Sequence, residues 1–403
     1  MKAKTSLDQL ALLGGAPAFD APLHVGRPNI ADKAGILRRI EEVLDRRWLT
    51  NDGPCVQELE SRLAELAGVE HCVAICNGTV ALEIAIRALE LSGEVIVPAF
   101  TFVATAHALA WQGLTPVFAD VHPDTHTLDA RDVERKLTPR TTGIIGVHLW
   151  GRTCDVEALT AVAERARVKL MFDAAHALAC THRGKPVGGF GSAEVFSFHA
   201  TKFFNTFEGG AIATNDAAVA KRARSIRNFG FQGYDNVVEI GTNGKMNEVC
   251  AAMGLASLEA LPGVIETNRH NHGLYGRRLE GLPGLSLMPY EPGERTNYQY
   301  VVVMVNEAKA GLTRDELVRF LHSENVLARR YFAPGVQRMP VYRERYAGVS
   351  LPQTERLSER VMCLPTGTAV SAEEIELVSQ LLALALANAA KVRSALAREA
   401  RHG

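Results

Sequence analysis

A lysine at the end of a strand-like run is the residue best placed to do chemistry. The run 194–198 is mostly apolar, a polar break follows, and Lys202 lies in that break before a second apolar run, 211–214. The same stretch carries three aromatic side chains: Phe203, Phe204 and Phe207. A solvated surface position is the ordinary place for a lysine. Apolar surroundings, however, lower the pKa of an ammonium group toward the neutral amine, so Lys202 is a candidate for a Schiff base.

An aspartate ends another buried run, and this position suits it to charge stabilisation. Asp173 closes the run 168–173, and ligands of open α/β sheets bind at the carboxyl ends of strands. An acid here can also simply cap the next helix. Beside a Schiff-base lysine, its carboxylate would keep a pyridine nitrogen protonated, so that the ring accepts electrons from a carbanion. His176, three residues on, can reach the phenolic oxygen of the same ring.

Two further stretches suit a flat, phosphorylated cofactor. Asn77, Gly78 and Thr79 precede a helix-period stretch, where free N–H groups and the helix dipole attract an anion and a glycine lets it approach closely. The same three residues are also an ordinary helix cap. Phe102 follows the apolar run 94–100 and can stack on a ring, although a phenylalanine there is often a core residue.

The elements that must position these residues alternate between helix-period and short apolar stretches. The apolar runs have consecutive rather than alternating hydrophobic residues, which is typical of strands covered by helices on both faces. The pattern therefore predicts an α/β fold with a mainly parallel sheet. The strands are expected within 94–100, 115–121, 142–150, 168–175 and 193–200.

The pattern of predicted helices and strands changes after residue 265. We expect an N-terminal segment, 1–30, that packs on the small domain, a large domain over 31–265 and a smaller α+β domain over 266–403. A polar-faced helix over 261–282 is expected to lead out of the large domain. Thr313 and Ser371 each precede a helical stretch with Glu three residues later, which predicts two capping boxes. The second stretch, 371–391, is expected to form a single closing helix.

Composition excludes several classes of protein. Lys plus Arg (44) nearly balances Asp plus Glu (45), which argues against nucleic acid or an anionic membrane as a partner. The seven cysteines are scattered without a C-x-x-C pair, and no metal site is expected. Neither a dinucleotide-binding fingerprint nor a P-loop is present, so a dehydrogenase is disfavoured. With no secretory signal recognised, a cytoplasmic protein is expected.

Together, and in this order, the stretches resemble the pyridoxal-phosphate sugar aminotransferases of the DegT/DnrJ type. The likeness runs from PLHVGRPN and RRWLTNDGP through IGVHLWGR to LPTGT near the end, and S-F-H-x-x-K followed by E-G-G-A is its most specific motif. The resemblance implies the aspartate-aminotransferase-like fold, fold type I of these enzymes. Its large domain has a mainly parallel sheet of the seven-stranded type, and a smaller α+β domain follows.

The resemblance also implies a role for each candidate. Lys202 would bind pyridoxal phosphate covalently and then carry the proton between substrate and cofactor, which passes through its pyridoxamine form. Asp173 would pair with the ring nitrogen, with His176 near the 3'-oxygen and Phe102 stacked on the ring. The phosphate would be held by Gly78, Thr79 and Ser197, and by Asn243 from the partner subunit of a homodimer with shared active sites.

The nearest likeness is to C-4 aminotransferases of deoxysugar pathways in antibiotic-producing bacteria. It implies transfer of the amino group from L-glutamate to dTDP-4-keto-6-deoxy-D-glucose, giving dTDP-4-amino-4,6-dideoxy-D-glucose. Lys245, which replaces the family's usual Arg, and Arg329 or Arg330 can meet the nucleotide diphosphate; Tyr331 can line the substrate pocket. Each of these can also be an ordinary surface or core residue.

Other activities stay open at this point. A 3-keto sugar nucleotide or a cyclitol ketone fits the same motifs, and so does a non-catalytic regulatory protein of the same fold. A dehydratase branch of the family carries His in place of the lysine. Because Lys202 is present, the sequence favours transamination over dehydration.

Overall fold

The computed structural model describes residues 1–30 and 32–399 of the 403-residue chain. The helices are α1 (Lys33–Arg46), α2 (Pro54–Ala67), α3 (Gly78–Ala88), α4 (Ala104–Ala110), α5 (Ala130–Lys136), α6 (Val156–Ala166), α7 (Ala217–Ile226), α8 (Glu248–Leu279), α9 (Glu307–Ala310), α10 (Arg314–Ser323), α11 (Pro352–Ser358), α12 (Ala372–Ala387) and α13 (Ala389–Glu399). Short 3-10 helices span Leu7–Gln9, Ala11–Leu13, Leu149–Gly151 and Val336–Arg338. The strands are β1 (Leu23–His24), β2 (His71–Ile75), β3 (Glu94–Pro98), β4 (Thr115–Ala119), β5 (Thr141–Val147), β6 (Lys169–Asp173), β7 (Thr181–His182), β8 (Lys185–Pro186), β9 (Glu194–Ser197), β10 (Gly210–Thr214), β11 (Leu285–Leu287), β12 (Val301–Val305), β13 (Val326–Leu327) and β14 (Val361–Leu364).

A seven-stranded sheet forms the centre of the molecule. Its strand order is β2-β10-β9-β6-β5-β3-β4. β10 pairs antiparallel with both of its neighbours, and the pairs from β9 across to β4 are parallel. The predicted α/β class, with a mainly parallel sheet of seven strands, is confirmed.

Helices cover both faces of this sheet, which explains why its strands are apolar at consecutive positions. All five residues of β3 are buried. Val95 and Val97 pack with residues of α3 and α4, whereas Ile96, which points the other way, packs with α5 and α6. Each strand therefore needs hydrophobic side chains on both of its faces.

A second sheet, β11-β12-β14, is antiparallel and packs with α10, α12 and α13 in its own core. Both predicted capping boxes are present, with Thr313 and Ser371 as the caps. The single closing helix expected over 371–391 is instead two helices that meet at a 95° bend. The Asn388 side chain binds the Leu384 carbonyl and ends α12, while the Asn388 carbonyl accepts the first bonds of α13. The bend lets both helices bury apolar residues in one core.

Helix α8 is continuous through Pro262, so the helix expected over 261–282 begins earlier, at Glu248. The expected boundary between residues 265 and 266 therefore falls inside a helix, and the division into domains remains a proposal. This helix is long and apolar enough to cross a membrane by length and hydropathy alone, as is the bent pair α12–α13 if it counts as one span. Half of its most apolar window is buried, and it packs against α1, α2 and α12, as a core helix does.

The N-terminal segment packs on the part of the chain that contains α10 and β13. Strand β1 pairs in parallel with β13, so that Leu23 faces Val326. The buried carboxylate of Glu324 accepts the backbone N–H groups of Ala11 and Ala18 at 2.7 and 2.8 Å. These bonds fix the start of the chain against the end of α10.

Candidate active site

A cavity of about 1010 Å³ opens where β6 and β9 end and α3 begins. Its volume lies at the upper end of the roughly 300–1,000 Å³ typical of small-molecule sites. The wall includes ten of the residues singled out from the sequence: Asn77, Gly78, Thr79, Phe102, Asp173, His176, Ser197, Lys202, Arg329 and Tyr331. The fold thus brings together residues that are up to 254 positions apart in the sequence, from Asn77 to Tyr331.

Lys202 lies in the loop that follows β9. Its backbone N–H donates to the His199 carbonyl at 2.8 Å, and the buried rings of Phe203 and Phe204 anchor the loop after it. Burial lowers the pKa of Lys202 to about 8, although the charge of Asp173 acts in the opposite direction. A substantial fraction of this amine is therefore neutral and nucleophilic near pH 8, unlike that of a solvated lysine.

Asp173 closes β6, and only 5% of its surface is exposed. One carboxylate oxygen accepts the Thr105 hydroxyl at 2.8 Å and the other accepts the Ala175 N–H at 3.1 Å. Burial raises the pKa of this carboxyl, while Thr105 and Ala175 oppose the rise. A buried carboxylate gains most from a nearby cation, and a protonated ring nitrogen in the cavity would supply one.

His176 is buried in the wall of the same cavity and is held by two hydrogen bonds. Its Nδ1 accepts the Trp150 N–H at 3.2 Å, and its Nε2 lies 3.2 Å from the Tyr300 hydroxyl. Burial, followed by the charge of Lys202, lowers the pKa of His176 well below its usual range. The imidazole is therefore neutral, and Nε2 carries the proton because Nδ1 is an acceptor.

The start of α3 forms a cradle for an anion. Gly78 and Thr79 are its first two residues, whose N–H groups have no partner inside the helix, and the Asn77 side chain caps the Val80 N–H at 2.9 Å. A Cβ on Gly78 would lie 2.8 Å from the Cβ of Ser197, and one on Gly210 would lie 2.8 Å from the Gly78 nitrogen. Only glycine fits at either position, so the backbone itself is presented to the cavity.

Aromatic side chains form one wall. Phe102 is 56% exposed and lines the cavity, so it is not the core residue that such a phenylalanine often is. Its ring centroid lies 6.3 Å from that of Phe332, which in turn stacks on His176 at 6.1 Å and on Tyr331 at 5.2 Å. A flat cofactor ring would meet a flat apolar surface here.

Three predicted residues lie outside the wall of this cavity: Asn243, Lys245 and Arg330, which pairs with Asp315 at 3.3 Å. Asn243 is exposed and pairs with Asn228 through an isolated bridge. The Lys245 amine donates to the Asn228 side chain at 3.0 Å and lies 4.6 Å from the centre of the Phe229 ring. None of the three lines the cavity of its own chain.

Several residues that contact the site were not predicted from the sequence. Thr105 orients Asp173, Tyr300 orients His176, and the N-terminal residues His24 and Arg27 line the cavity. Of these, Thr105 carried the clearest sequence signal, because it is a polar residue three positions after Phe102 in an apolar stretch.

These residues fit pyridoxal phosphate. One cavity combines a lysine with a depressed pKa, a buried carboxylate, an apolar wall for a ring and a helix start for a phosphate. In the parts of the chain with described coordinates, no group of three or more His, Cys, Asp or Glu side chains is arranged to hold a metal ion. The sheet topology and this cavity together define a pyridoxal-phosphate enzyme of fold type I.

Comparison with known proteins narrows the class. The DegT/DnrJ/EryC1/StrS aminotransferase family matches residues 31–383, so the chain belongs to that family of pyridoxal-phosphate enzymes. A relative from Escherichia coli, named dTDP-4-amino-4,6-dideoxy-D-glucose transaminase, is 35% identical over 368 residues, which cover 90% of this chain and 98% of that protein.

Solved structures agree with this assignment. A crystal structure of DesI, determined in the presence of its TDP-sugar product, is 48% identical with a TM-score of 0.91 and covers 99% of this chain and 100% of that one. The pyridoxal-phosphate form of the Streptococcus pneumoniae sugar aminotransferase Spr1654 has a TM-score of 0.84 at 24% identity. It covers 91% of this chain and 99% of its own, and this likeness shows the shared fold.

Proposed function

We propose that this enzyme transfers the amino group of L-glutamate to C-4 of dTDP-4-keto-6-deoxy-D-glucose and releases dTDP-4-amino-4,6-dideoxy-D-glucose. The observation that carries the proposal is the meeting of Lys202 and Asp173 in a cavity large enough for a cofactor and a sugar nucleotide. The E. coli relative is named for this sugar, and DesI was crystallised with a TDP-sugar product. The two names support the choice of nucleotide and of sugar.

Lys202, Asp173 and Thr105 have separate roles in the proposed reaction. When bound, pyridoxal phosphate supplies a ring that withdraws electrons from the substrate carbon next to nitrogen. In each half-reaction Lys202 would move one proton between the cofactor and the substrate carbon that bears nitrogen: away from the glutamate carbon in the first and onto C-4 of the sugar in the second. Its amine can do so because the neutral form is populated near pH 8. Asp173 would hold the ring nitrogen protonated, and the hydrogen bond from Thr105 would keep the carboxylate oriented for this contact.

The remaining contacts are positional. His176 would sit near the 3'-oxygen, Phe102 would stack on the ring, and Gly78, Thr79 and Ser197 would bind the phosphate. Arg329 and Tyr331 line the cavity and would meet the sugar nucleotide, whereas Lys245 would contact substrate only from a partner's side. A non-catalytic regulatory role is disfavoured, because Lys202 and Asp173 both remain in the cavity.

We also propose a homodimer in which Asn243 enters the partner's cavity. The segment before it carries five large, exposed apolar side chains: Phe229 (46%), Tyr234 (98%), Val237 (57%), Val238 (46%) and Ile240 (79%). Such a concentration of exposed apolar surface is typical of a protein–protein interface. A second copy of the chain is the occupant that would also bring Asn243 to a phosphate.

Mixing two inactive variants tests the shared site. Subunits of Lys202→Ala keep Asn243, and subunits of Asn243→Ala keep Lys202. Random re-association would give mixed dimers with one intact site each, so about a quarter of the wild-type activity should return. A mixture no more active than the average of its parents would mean that Asn243 does not act across the interface.

The setting of the reaction is part of the proposal. The resemblance to enzymes of deoxysugar pathways supports a role in the biosynthesis of an antibiotic sugar. Its substrates would be small molecules in the cytoplasm, with neither nucleic acid nor membrane as a partner. Fractionation of the native host, followed by immunodetection, would find the protein in the soluble fraction if this is right.

Product analysis tests the regiochemistry. The purified enzyme, with pyridoxal phosphate and ¹⁵N-glutamate, would be incubated separately with dTDP-4-keto-6-deoxyglucose, its 3-keto isomer and a cyclitol ketone. We expect ¹⁵N at C-4 of the first sugar, identified by NMR. Turnover of only the 3-keto sugar or the cyclitol would overturn the C-4 assignment while leaving transamination intact.

A further inference from the structure

The N-terminal residues 23–29, here called the strap, run along the mouth of the active-site cavity. Strand β1 at its start is fixed by pairing with β13. Asn29 at its end is buried; its side chain donates to the Phe203 carbonyl at 3.1 Å and accepts the Thr368 N–H at 2.9 Å. The strap is therefore held at both ends, once beside β13 and once beside the loop that carries Lys202.

The middle of the strap lies directly on the catalytic loop. A Cβ added to Gly26 would come within 3.1 Å of the Thr201 side chain, next to Lys202. Arg27 follows at once; its guanidinium donates to the Ala369 carbonyl at 2.9 Å while the residue lines the cavity. The pairing of β1 and the hydrogen bonds of Asn29, on either side of Arg27, thus place this arginine at the mouth of the cavity.

The same parallel pairing brings a second arginine to this edge. Leu327 faces His24; Arg329 follows Leu327 by two residues, and Arg27 follows His24 by three. Arg329 lines the cavity, and its guanidinium carbon lies 5.1 Å from the centre of the Tyr331 ring. Among the described residues, neither Arg27 nor Arg329 forms an ion pair with a carboxylate of the chain, whereas the neighbouring Arg330 pairs with Asp315 at 3.3 Å.

We propose that Arg27 and Arg329 together bind the diphosphate of the sugar nucleotide, which makes the strap part of the substrate site. This inference rests on the proposed function, because it requires a nucleotide-linked substrate. Two guanidinium groups at the end of adjacent parallel strands can each donate two parallel hydrogen bonds to phosphate oxygens. The diphosphate would then lie at the mouth, with the sugar directed inward toward Lys202.

Calorimetric titration of the pyridoxal-phosphate holoenzyme with dTDP and, separately, with thymidine tests this assignment. The variants are Arg27→Gln and Arg329→Gln, and the matched control is Arg330→Gln, an adjacent arginine outside the cavity wall. Each of the two variants should weaken dTDP binding by about tenfold, because a charge-assisted contact to phosphate is lost, and should leave thymidine binding unchanged. Arg330→Gln should bind both as the wild type does.

A second readout separates this proposal from the proposed function. The cofactor absorbance change on adding glutamate involves no nucleotide, so its rate should match the wild type in both variants. If the wild type responds to glutamate and binds dTDP, but Arg27→Gln keeps wild-type dTDP affinity, the strap assignment is wrong. If Arg329→Gln instead raises the glutamate concentration needed for half-maximal rate, Arg329 binds the amino donor and the pair is not a diphosphate site. An absent glutamate response in the wild type would overturn the proposed function itself.

Discussion

The floor and the rim of the cavity are built in different ways. The floor, formed by Gly78, Asp173, Ser197 and Lys202, comes from strand ends and a helix start of the central sheet. The rim, formed by Arg27, Arg329 and Tyr331, comes from the N-terminal strap and the chain that follows β13. Floor groups are enclosed and have shifted pKa values at Lys202 and Asp173, whereas the two rim arginines are exposed.

This difference separates chemistry from recognition. Burial lowers the pKa of Lys202 and makes a nearby cation favourable for the carboxylate of Asp173. Both effects are independent of the remote groups of the substrate, so the floor can serve both half-reactions. The exposed rim retains solvated charges that cost little to bring near an anion. Floor variants should therefore impair glutamate and keto sugar alike, and rim variants should impair only the nucleotide substrate.

The largest expected effect comes from Lys202→Ala. Without the amine, both half-reactions should fall to the background rate, and the visible absorption band of lysine-bound cofactor should disappear. Circular dichroism should remain that of the wild type. The matched control is Lys221→Ala, an exposed lysine on α7 that should change neither readout. Wild-type turnover by Lys202→Ala would mean that another base moves the proton.

Asp173→Asn should lower kcat by about 10²- to 10³-fold, because a preorganised charge at the reacting ring is lost. Stopped-flow absorbance of the glutamate half-reaction measures it. Asp120→Asn is the control, since Asp120 is also a buried acid just after a strand of the sheet but binds Gln353 and Thr354. Asp120→Asn should reduce thermal stability and leave kcat unchanged. An equal kcat for the two variants would show that Asp173 does not stabilise the charge of the cofactor ring.

The pH dependence of cofactor attachment reports directly on the floor. The neutral amine of Lys202 is the attacking group, so the rate of pyridoxal phosphate binding to apoenzyme should rise with pH and level off above pH 8, its pKa being about 8. From pH 7 to pH 9 the increase should be about tenfold. A rise of about a hundredfold with no plateau would indicate a solvated lysine of ordinary pKa.

Gly78→Ala should weaken binding of pyridoxal phosphate by about tenfold, because the added methyl group meets Ser197 and displaces the helix start from the phosphate. Fluorescence titration of the apoenzyme measures the affinity. Gly263→Ala is the control, since a Cβ there meets nothing within 4 Å. It should leave the affinity unchanged, and equal affinities for the two variants would remove Gly78 from the phosphate site.

The smallest expected effect belongs to the rim. Tyr331→Leu removes the ring beneath the Arg329 guanidinium and should raise KM for the sugar nucleotide by about three- to fivefold. The KM for glutamate should not change. A parallel rise in both KM values would show that Tyr331 supports the floor, and would break the separation of the two regions.

The sequence predicts the floor well because its signals are local. Asp173 is the last residue of a buried strand and Lys202 follows another by five residues, so the fold places both at one edge of the sheet. Gly78 is recognised in the same way as the first residue of a helix. The parallel sheet itself follows from runs of consecutive apolar residues that need helices on both faces.

Arg27, on the rim, could not be predicted from such signals, whereas Arg329 and Tyr331 were candidates through the family resemblance. Arg27 reaches the cavity only because β1 pairs with β13, about 300 residues away in the sequence. The role proposed for Asn243 requires a second chain, and only the family resemblance indicates it. The bend at Asn388 was missed for a related reason, because it is set by a core that α12 and α13 share with β12 and α10.

We propose that the cofactor bound at the floor alternates between its pyridoxal and pyridoxamine forms as the enzyme reacts with an amino donor and then with a keto sugar. Visible absorption of the pyridoxal-phosphate holoenzyme tests it most directly, measured before glutamate, after glutamate and after dTDP-4-keto-6-deoxyglucose. The account predicts a lysine-dependent band that glutamate bleaches and the keto sugar restores. A band that glutamate leaves unchanged would contradict it.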